Sequence, residues 1–423
     1  MPEVAKRALL VLGAAALTLL ALEVGLRAFV VPSRMSAGRL LGSELPPLRL
    51  VPREPPRRIR REAPAGRIRF DDLNGLIRED AVLGYAPREN AVSTNGWWQS
   101  NDIGARARQD VAATRTSGRT RVLVFGDSFA AGSRVPQESA WPAVLEAMQP
   151  ALEVVSLGVD GYSAAQSLLR YRALADRLEH DVVLLTQSPR ADFWRDVNTL
   201  RALAGWRSYT VMPRFVVEGG RMQLVPSPYD PPLAIYADNR DGTSSRLREH
   251  LERYDRFYVP WMYDTAPGPS SRSVLAKLVL ARWHAALVRR RHEEVLEPES
   301  EAVVVSGHIA RTMHEEARAH GARFLQVLLP SELDLGRLQR RPAYREQWEA
   351  IGAAVGGAGI ACVDLAATLL AAPADQLDRG FDGTHHGPRA NRLIAEAIAR
   401  VLAEPAFPTR NACAGRSGAT ASP

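Results

Sequence analysis

The chain has 423 residues, of which 46% are hydrophobic and 24% charged, so it can bury a sizeable core. Its formal net charge of +7 is carried almost entirely by arginine, because Lys6 and Lys277 are the only lysines. We find no basic patch interleaved with aromatic residues and no nucleic-acid motif, so nucleic acid is not an expected partner. Cys362 and Cys413 have no metal-like spacing; we expect two free thiols, or one weak disulfide if the domain is exported.

The first long apolar segment runs from Ala8 to Val31, interrupted by Glu23 and Arg27, which are spaced to pair on one helix face. As a helix it extends roughly 36 Å, enough to cross a bilayer. A cleaved signal peptide and a buried core helix are the alternatives, but no clean A-x-A cleavage site follows. We therefore predict an uncleaved membrane anchor over residues 1–31. Basic residues on both sides leave its orientation open.

Composition divides the rest of the chain. Residues 32–70 are rich in proline and arginine and predict an extended linker, most of it solvated. Residues 71–403 predict one folded domain, with an insertion at about 205–300 that contains a hairpin over 215–225 and a helix over 273–290. Residues 404–423 are small and polar and predict a disordered tail.

From Thr120 onward, short apolar runs alternate with helical patterns, which is typical of βαβ units around a parallel sheet. The predicted strands are Arg121–Phe125, Leu152–Leu157, Asp181–Thr186, Arg323–Leu329 and Ile360–Val363. The predicted helices are Ala140–Met148, Ser163–Leu178, Ala302–His320, Tyr344–Val355 and Ala390–Leu402.

The strongest chemical signal lies in Gly126, Asp127 and Ser128, which directly follow the first of these strands. Glycine permits a sharp turn, and a serine at the carboxyl end of a parallel strand lies where α/β sheets place their chemistry. Asp127 and Ser128 could instead merely cap the next helix. A base and its partner later in the chain favour a nucleophilic role for Ser128.

That base and partner stand just before the last predicted helix, as Asp382 and His385. They are three residues apart, so one turn lets the carboxylate meet the imidazole of its own loop. The adjacent His386 raises the alternative of a metal site. No matching set of ligands stands at metal spacing elsewhere, so we expect neither a metal nor a cofactor, and we expect His386 to face solvent or bond to its loop.

An ester hydrolase also needs donors for the oxyanion. Gly158 and Gly161 follow the second predicted strand and allow a backbone N–H to point at a reacting carbonyl. The alternative is an ordinary turn between a strand and a helix.

Together these motifs resemble those of the SGNH/GDSL hydrolase superfamily, in its membrane-anchored bacterial type; the resemblance rests on Gly126-Asp127-Ser128, Gly158-Val159-Asp160-Gly161 with Gln166, and Asp382-x-x-His385. It runs from about Asn101 to Leu402 and includes Asn101–Arg106, which is similar to a stretch that precedes the serine in membrane-anchored members. The resemblance implies a flavodoxin-like three-layer α/β/α sandwich with a five-stranded parallel sheet. It also implies that Ser128 is the nucleophile, His385 the general base and Asp382 its partner, with the N–H groups of Ser128 and Gly161 in the oxyanion hole.

One block departs from the family pattern. After the third strand the family usually carries an Asn whose side chain donates to the oxyanion, and Ala191 stands at the position we assign to it. Loss of one such donor can cost about 10²–10³ in rate. Arg190 and Gln187 are the candidate substitutes.

The function that these features predict is a serine ester hydrolase that removes small acyl groups from an envelope glycan or lipid. Its catalytic domain is expected to be periplasmic or extracellular, tethered to the membrane by the N-terminal helix. One alternative is an O-acyltransferase acting on a cell-envelope polysaccharide, in which a sugar hydroxyl replaces water. Another is a catalytically degenerate domain that binds glycan or a membrane partner; the missing Asn favours it, and the intact Ser128, Asp382 and His385 oppose it.

Overall fold

The computed structural model describes residues 3–55, 61–62, 68–70, 76–206, 208–264, 272–357, 359–404 and 413. Within these ranges the α-helices are α1 (Glu3–Arg27), α2 (Trp141–Met148), α3 (Ala164–Ala175), α4 (Pro189–Asp196), α5 (Ala234–Asp238), α6 (Ser245–Tyr254), α7 (Pro260–Tyr263), α8 (Val274–Glu294), α9 (Glu301–Ala319), α10 (Glu332–Arg340), α11 (Pro342–Gly356), α12 (Ala366–Ala371) and α13 (Pro388–Ala403). The strands are β1 (Ser36–Leu40), β2 (Ser43–Leu48), β3 (Arg61–Glu62), β4 (Ile68–Phe70), β5 (Ile77–Asp80), β6 (Gly84–Pro87), β7 (Ala91–Ser93), β8 (Thr120–Gly126), β9 (Leu152–Ser156), β10 (Val182–Gln187), β11 (Arg214–Glu218), β12 (Arg221–Val225), β13 (Arg323–Leu328) and β14 (Cys362–Asp364).

The chain forms two compact units. The anchor unit comprises Met1–Pro55, Leu200–Thr210 and Leu233–Arg291, and the sheet unit comprises Pro56–Thr199, Val211–Pro232 and His292–Pro423. This division does not follow the boundaries expected from composition, because the expected insertion contributes to both units.

Part of the expected linker is folded within the anchor unit. Strands β1 and β2 pair antiparallel over residues 36–48, and Leu40 and Leu45 are buried. The few leucines that supply this core stand among many prolines and arginines, so composition alone predicts an extended linker. The same unit contains α1, in which no residue is buried. Among the described residues, α1 is one helix long and apolar enough to cross a membrane, a test that a signal sequence also passes.

The sheet unit is built on a five-stranded sheet with the order β14-β13-β10-β8-β9. All neighbouring pairs in it are parallel. Numbered along the chain, the order is the flavodoxin-like 2-1-3-4-5, which confirms the predicted sheet. Each predicted strand overlaps an observed one, and the connection reverses direction between β8 and β10, where such folds place their ligands.

Side-chain alternation along β8 produces the three layers. Leu123 and Phe125 point to one face and belong to a core completed by α3 and α9. Val122 and Val124 point to the other face and belong to a core completed by α2 and α13. The predicted α/β/α sandwich is therefore confirmed, with its core on both faces of a sheet whose central strands read as continuous apolar runs.

Cys362 and Cys413 form a disulfide, with their Cα atoms 5.5 Å apart. The expectation of two free thiols is wrong, and the alternative of one disulfide holds. The two residues lie 51 positions apart, so no local signal could reveal that Cys413 returns to the edge strand β14. Apart from residue 404 and Cys413, the expected tail over 404–423 lies outside the described residues.

Candidate active site

Strand β8 ends in a turn that only glycine can make at its first position. Gly126 has φ +142°, and a Cβ added there would lie 2.2 Å from the carbonyl oxygen of Thr186 on the neighbouring strand β10. Asp127 Oδ1 then accepts a hydrogen bond from the Phe129 N–H at 2.8 Å. The chain folds back so that the Ser133 N–H donates to the Ser128 carbonyl at 2.9 Å. Ser128 is thereby fixed at the point where the sheet reverses direction.

The loop before α13 brings two further predicted residues to this serine. His385 Nε2 lies 2.8 Å from Ser128 Oγ, and His385 Nδ1 lies 2.7 Å from Asp382 Oδ2. The serine and the histidine are 257 positions apart in sequence. A carboxylate that accepts Nδ1–H leaves Nε2 with a lone pair for the hydroxyl proton, the arrangement needed for an activated serine.

Asp382 is held in place and in its ionised form by its own loop. Its Oδ1 accepts hydrogen bonds from the backbone N–H of Thr384 at 3.0 Å and of His385 at 3.1 Å. Burial favours the neutral acid, but the Thr384 N–H, the His385 charge and the Thr384 hydroxyl together hold the pKa of Asp382 well below its usual range. The carboxylate is therefore charged at any pH at which the imidazole needs a partner.

The two adjacent histidines have different surroundings. The His385 ring stacks on Phe129, with centroids 4.6 Å apart and planes 20° apart. His386 is buried, and its Nε2 lies 2.9 Å from the Pro330 carbonyl oxygen. Burial lowers the pKa of His386 to about 4, so it is neutral near pH 7 and donates to that carbonyl. His386 bonds to a neighbouring loop and does not face solvent. In the described ranges no group of three or more His, Cys, Asp or Glu residues could hold a metal ion.

The two predicted oxyanion donors lie on neighbouring loops. A Cβ added to Gly158 would lie 2.6 Å from the backbone nitrogen of Ala131, so the loop after β9 closely approaches the turn that carries Ser128. The Val159 N–H donates to the Gly126 carbonyl at 3.0 Å. Within the described part of the chain, the N–H groups of Ser128 and Gly161 donate to no acceptor. Neither N–H group is thus occupied by an acceptor among the described residues, as the role predicted for them requires.

Arg134 connects the loop after β9 with the Asp382 carboxylate, a contact that sequence reasoning missed. Its Nη1 donates to Asp160 Oδ2 at 2.7 Å, and its Nε lies 3.3 Å from Asp382 Oδ2. The residue has φ +71°, a left-handed conformation that is uncommon outside glycine. The only sequence signal was its position six residues after Ser128.

Arg195 was also missed, and its side chain contacts the turn that contains Ser128. Its Nη1 donates to Asp127 Oδ2 at 3.0 Å and to the Tyr162 carbonyl at 3.1 Å. The side chain is 3% exposed. Arg195 therefore joins the turn containing Ser128 to the loop containing Gly161. Burial, and after it the charge of Asp127, raises the pKa of the neighbouring Asp192. Negative charge is therefore unfavourable in this region, and the positive charge of Arg195 offsets it.

We expect Arg195→Met to lower the free energy of unfolding by about 3–5 kcal/mol, because it leaves a buried carboxylate without its partner. Arg195→Lys should lose less, since it keeps the charge. Urea denaturation followed by circular dichroism provides the measurement. Arg172→Met is the matched control: its pair with Glu316 is 41% and 31% exposed, and such pairs contribute at most about 1 kcal/mol. Equal losses in the Arg195 and Arg172 variants would contradict this role.

A third arginine, Arg106, is buried and holds the loop that follows Ser128. It donates to the carbonyl oxygens of Ala131, Gly132 and Val135 at 2.6–2.8 Å. It also donates to the Trp97 carbonyl at 3.0 Å. The segment Asn101–Arg106 thus ends in a residue that holds the loop after Ser128 in place. Its resemblance to other sequences could not reveal these contacts.

The candidate substitutes for the missing Asn have other partners. Arg190 forms two hydrogen bonds to Glu293, at 2.7 and 3.1 Å. Gln187 Nε2 lies 3.4 Å from Ser306 Oγ. The methyl group of Ala191, in the first turn of α4, packs partly buried against the apolar core on its face of the sheet. Within the described ranges, neither Arg190 nor Gln187 hydrogen-bonds to Ser128.

No protein-family model matches the chain, and no curated protein matches it. Solved structures with a similar arrangement include a lipolytic protein of the G-D-S-L family from Desulfitobacterium hafniense, at 16% identity over 67% of this chain and 99% of that one, with a TM-score of 0.29. Another is the esterase EstA from Pseudoalteromonas, at 11% identity over 66% of this chain and 95% of that one, with a TM-score of 0.31. A third is an acetylxylan esterase from Geobacillus stearothermophilus, at 12% identity over 70% of this chain and 100% of that one, with a TM-score of 0.31. Likeness at this level carries no argument about activity, which has to rest on the site itself.

Proposed function

We propose that this chain is a serine ester hydrolase of the SGNH type, with Ser128 as nucleophile, His385 as general base and Asp382 as its partner. The observation that carries the proposal is the continuous line of contacts from Asp382 Oδ2 through the imidazole to Ser128 Oγ, at 2.7 and 2.8 Å. Such a line, at the reversal point of a parallel sheet, provides an activated hydroxyl, a base and an orienting group.

In this mechanism, Ser128 Oγ attacks the acyl carbonyl while His385 Nε2 takes the hydroxyl proton. Asp382 stabilises the imidazolium that forms, and the N–H groups of Ser128 and Gly161 hold the negative oxygen of the tetrahedral intermediate. The imidazolium then gives its proton to the leaving alkoxide, which departs as an alcohol. Water, activated by the same imidazole, releases the acid and restores Ser128.

The site borders an exposed aromatic surface that a substrate could contact. Phe381 precedes Asp382 and is 67% exposed. Its ring meets Trp97 edge to face, with centroids 5.6 Å apart. We propose a substrate that carries small acyl groups on an envelope glycan or lipid, with the catalytic residues outside the cytoplasm. The apolar helix α1 and the disulfide support that location, because disulfides persist in oxidising compartments.

The disulfide provides a direct test of the location. In membranes isolated from cells of the producing organism, with thiols blocked at lysis, we expect the unfolded and unreduced chain to bind no maleimide. After reduction it should bind two maleimides, at Cys362 and Cys413. Two reactive thiols before reduction would place the domain in a reducing compartment and remove envelope substrates from consideration.

Hydrolysis of p-nitrophenyl acetate by the full chain in detergent tests the reaction class. Release of acetate that depends on Ser128 supports the hydrolase. The same residues would carry out O-acyl transfer if a sugar hydroxyl replaced water. Acyl transfer to an added saccharide in preference to water would therefore redirect the proposal to an O-acyltransferase.

The methyl group of Ala191 supports a second candidate, a degenerate domain that binds acylated glycan without turnover. The two candidates differ in how a new hydrogen-bond donor at position 191 would change kcat. If the acyl oxygen lacks a third donor, Ala191→Asn should raise kcat on the activated ester by about tenfold, equivalent to about 1.4 kcal/mol in the transition state. Ala191→Leu is the control for bulk alone. An unchanged kcat in Ala191→Asn would show that the block is misaligned or that the hole is already complete.

A further inference from the structure

Helix α8 of the anchor unit carries apolar residues that the described protein does not cover. Of its residues from Val274 to Glu294, only Ala281 is buried. Val279 and Trp283 are 59% and 49% exposed, and their spacing of four places them on one helix face. Scattered exposed apolar residues are ordinary. Most of the other residues of α8 are half-buried, whereas the exposed apolar ones, Val279, Trp283 and Ala286, recur at a spacing of three to four on one face.

Two neighbouring elements extend this apolar side. Trp261 of α7 is 44% exposed, and its ring centroid lies 5.1 Å from that of Trp283. Arg282 Nη2 donates to the Leu41 carbonyl at 3.0 Å, and Leu41, at the turn between β1 and β2, is 67% exposed. We call Leu41, Trp261, Val279 and Trp283 the tryptophan patch.

Over residues 274–291, α8 carries charge of a single sign, and its acidic residues are confined to Glu293 and Glu294 at its C-terminal end. Residues 274–291 contain basic side chains and no Asp or Glu; the basic residues are Lys277, Arg282, Arg289, Arg290 and Arg291. Tryptophan is enriched at the boundary between membrane and water, where its ring is apolar and its N–H is wet. Helices with an apolar face and Lys or Arg beside it bind anionic lipid surfaces. The composition of the patch therefore fits a lipid headgroup layer.

Helix α8 begins where α1 ends, which places the patch near a bilayer that α1 would cross. Glu23 accepts hydrogen bonds from the Ser273 hydroxyl and from the N–H groups of Val274 and Leu275, at 2.8–2.9 Å. At a rise of 1.5 Å per residue, Val279 and Trp283 lie about 7 and 13 Å along α8 from that junction. The polar layer on each side of a bilayer is about 5–8 Å thick, so Val279 lies within one such thickness of the junction, and Trp283 shares that layer if α8 is inclined to the membrane normal.

We propose that the tryptophan patch and the first half of α8 lie in the headgroup layer of an anionic membrane that α1 spans. The anchor unit is then a module that sits on the membrane surface, and Glu23 fixes its height relative to the span. A cleaved α1 would take Glu23 away from the start of α8, so the proposal also requires α1 to be retained. It does not depend on the ester hydrolase, because none of these residues belongs to that site.

The test uses the full chain in vesicles of phosphatidylcholine brominated on its acyl chains, mixed with phosphatidylglycerol. Bromine quenches the emission of indoles that lie at the membrane. We expect Trp261→Phe with Trp283→Phe to lower the lipid-quenched emission by roughly half or more, although they remove two of eight tryptophans. Trp348→Phe is the control, because Trp348 is 2% exposed and its loss should leave the lipid-quenched emission unchanged.

A second variant tests the charge. Lys277→Glu with Arg282→Glu, the two basic residues in the first half of α8, should reduce the extra quenching seen in anionic over neutral vesicles, since basic residues near such a surface are attracted to it. Lipid-quenched emission that the double tryptophan variant leaves unchanged would overturn the proposal. The proposal would also be overturned if the chain formed dimers in detergent and the double tryptophan variant dissociated them, because a second copy of the chain would then cover the patch.

Discussion

Replacing Ser128 by alanine should lower the hydrolysis of an activated ester by about 10⁴-fold or more, because the residues of a triad act as one unit and the hydroxyl is the bond-forming group. The measurement is p-nitrophenyl acetate turnover, paired with labelling by a fluorophosphonate. The wild-type chain should be labelled and Ser128→Ala should not.

Folding provides the control for this substitution. Ser128 Oγ contacts His385 and is not part of the core, so the thermal midpoint of Ser128→Ala should match that of the wild type. Ser133→Ala is the matched variant, since it removes a hydroxyl five residues away that bonds to Asp160 and does not contact His385. Its labelling should persist. Equal labelling of the wild type and Ser128→Ala would refute the assignment of the nucleophile.

The second large effect separates the adjacent histidines. His385→Ala should lower kcat by about 10³–10⁴-fold with little change in stability, because it removes the base. His386→Ala should instead lower the free energy of unfolding by about 1–3 kcal/mol, because it empties a buried site and leaves the Pro330 carbonyl unpaired. Its effect on kcat should stay within tenfold. Equal losses of kcat in the two variants would contradict the assigned roles.

Acid should distinguish them as well. Burial holds the pKa of His386 at about 4 in the folded chain, whereas an unfolded histidine titrates near pH 6.5. Between these values the unfolded state binds the extra proton, so stability falls as the pH drops from about 6.5 to about 4. His386→Ala should flatten this part of the stability profile. An unchanged slope in urea denaturation across that window would show that His386 is not buried in its neutral form.

The sheet could be predicted because its strands are short apolar runs bounded by polar residues. Leu123 and Phe125 point to one face of the sheet, and Val122 and Val124 point to the other. A run of apolar residues on both faces predicts a central strand that is covered on both sides, as in a three-layer fold. Helix α10 was not predicted because it is short and mostly polar, and the contacts that hold it come from other parts of the chain. Its Asp334 accepts a hydrogen bond from Tyr344 on the next helix, a contact invisible to local patterns.

The residues of the line from Ser128 to Asp382 could be named in advance because chemistry restricts their types and turns restrict their spacing. The arginines could not. In a sequence, Arg106, Arg134 and Arg195 resemble solvated surface residues, whereas in the fold Arg106 and Arg195 are buried and Arg134 is half-buried, each against partners far along the chain. Arg195 meets Asp127 across 68 positions and Tyr162 across 33. No periodicity reports a contact of that kind.

The bond between Cys362 and Cys413 also sets where the protein can be shortened. A chain ending at residue 404 would lose Cys413 and leave Cys362 as a lone thiol on the edge strand β14. Because Cys362 is 1% exposed in the folded chain, its lone thiol would pair with another molecule in an oxidising compartment when β14 detaches or the chain unfolds. The polar C-terminal segment, which in sequence looks dispensable, therefore carries a residue that the last strand of the sheet requires.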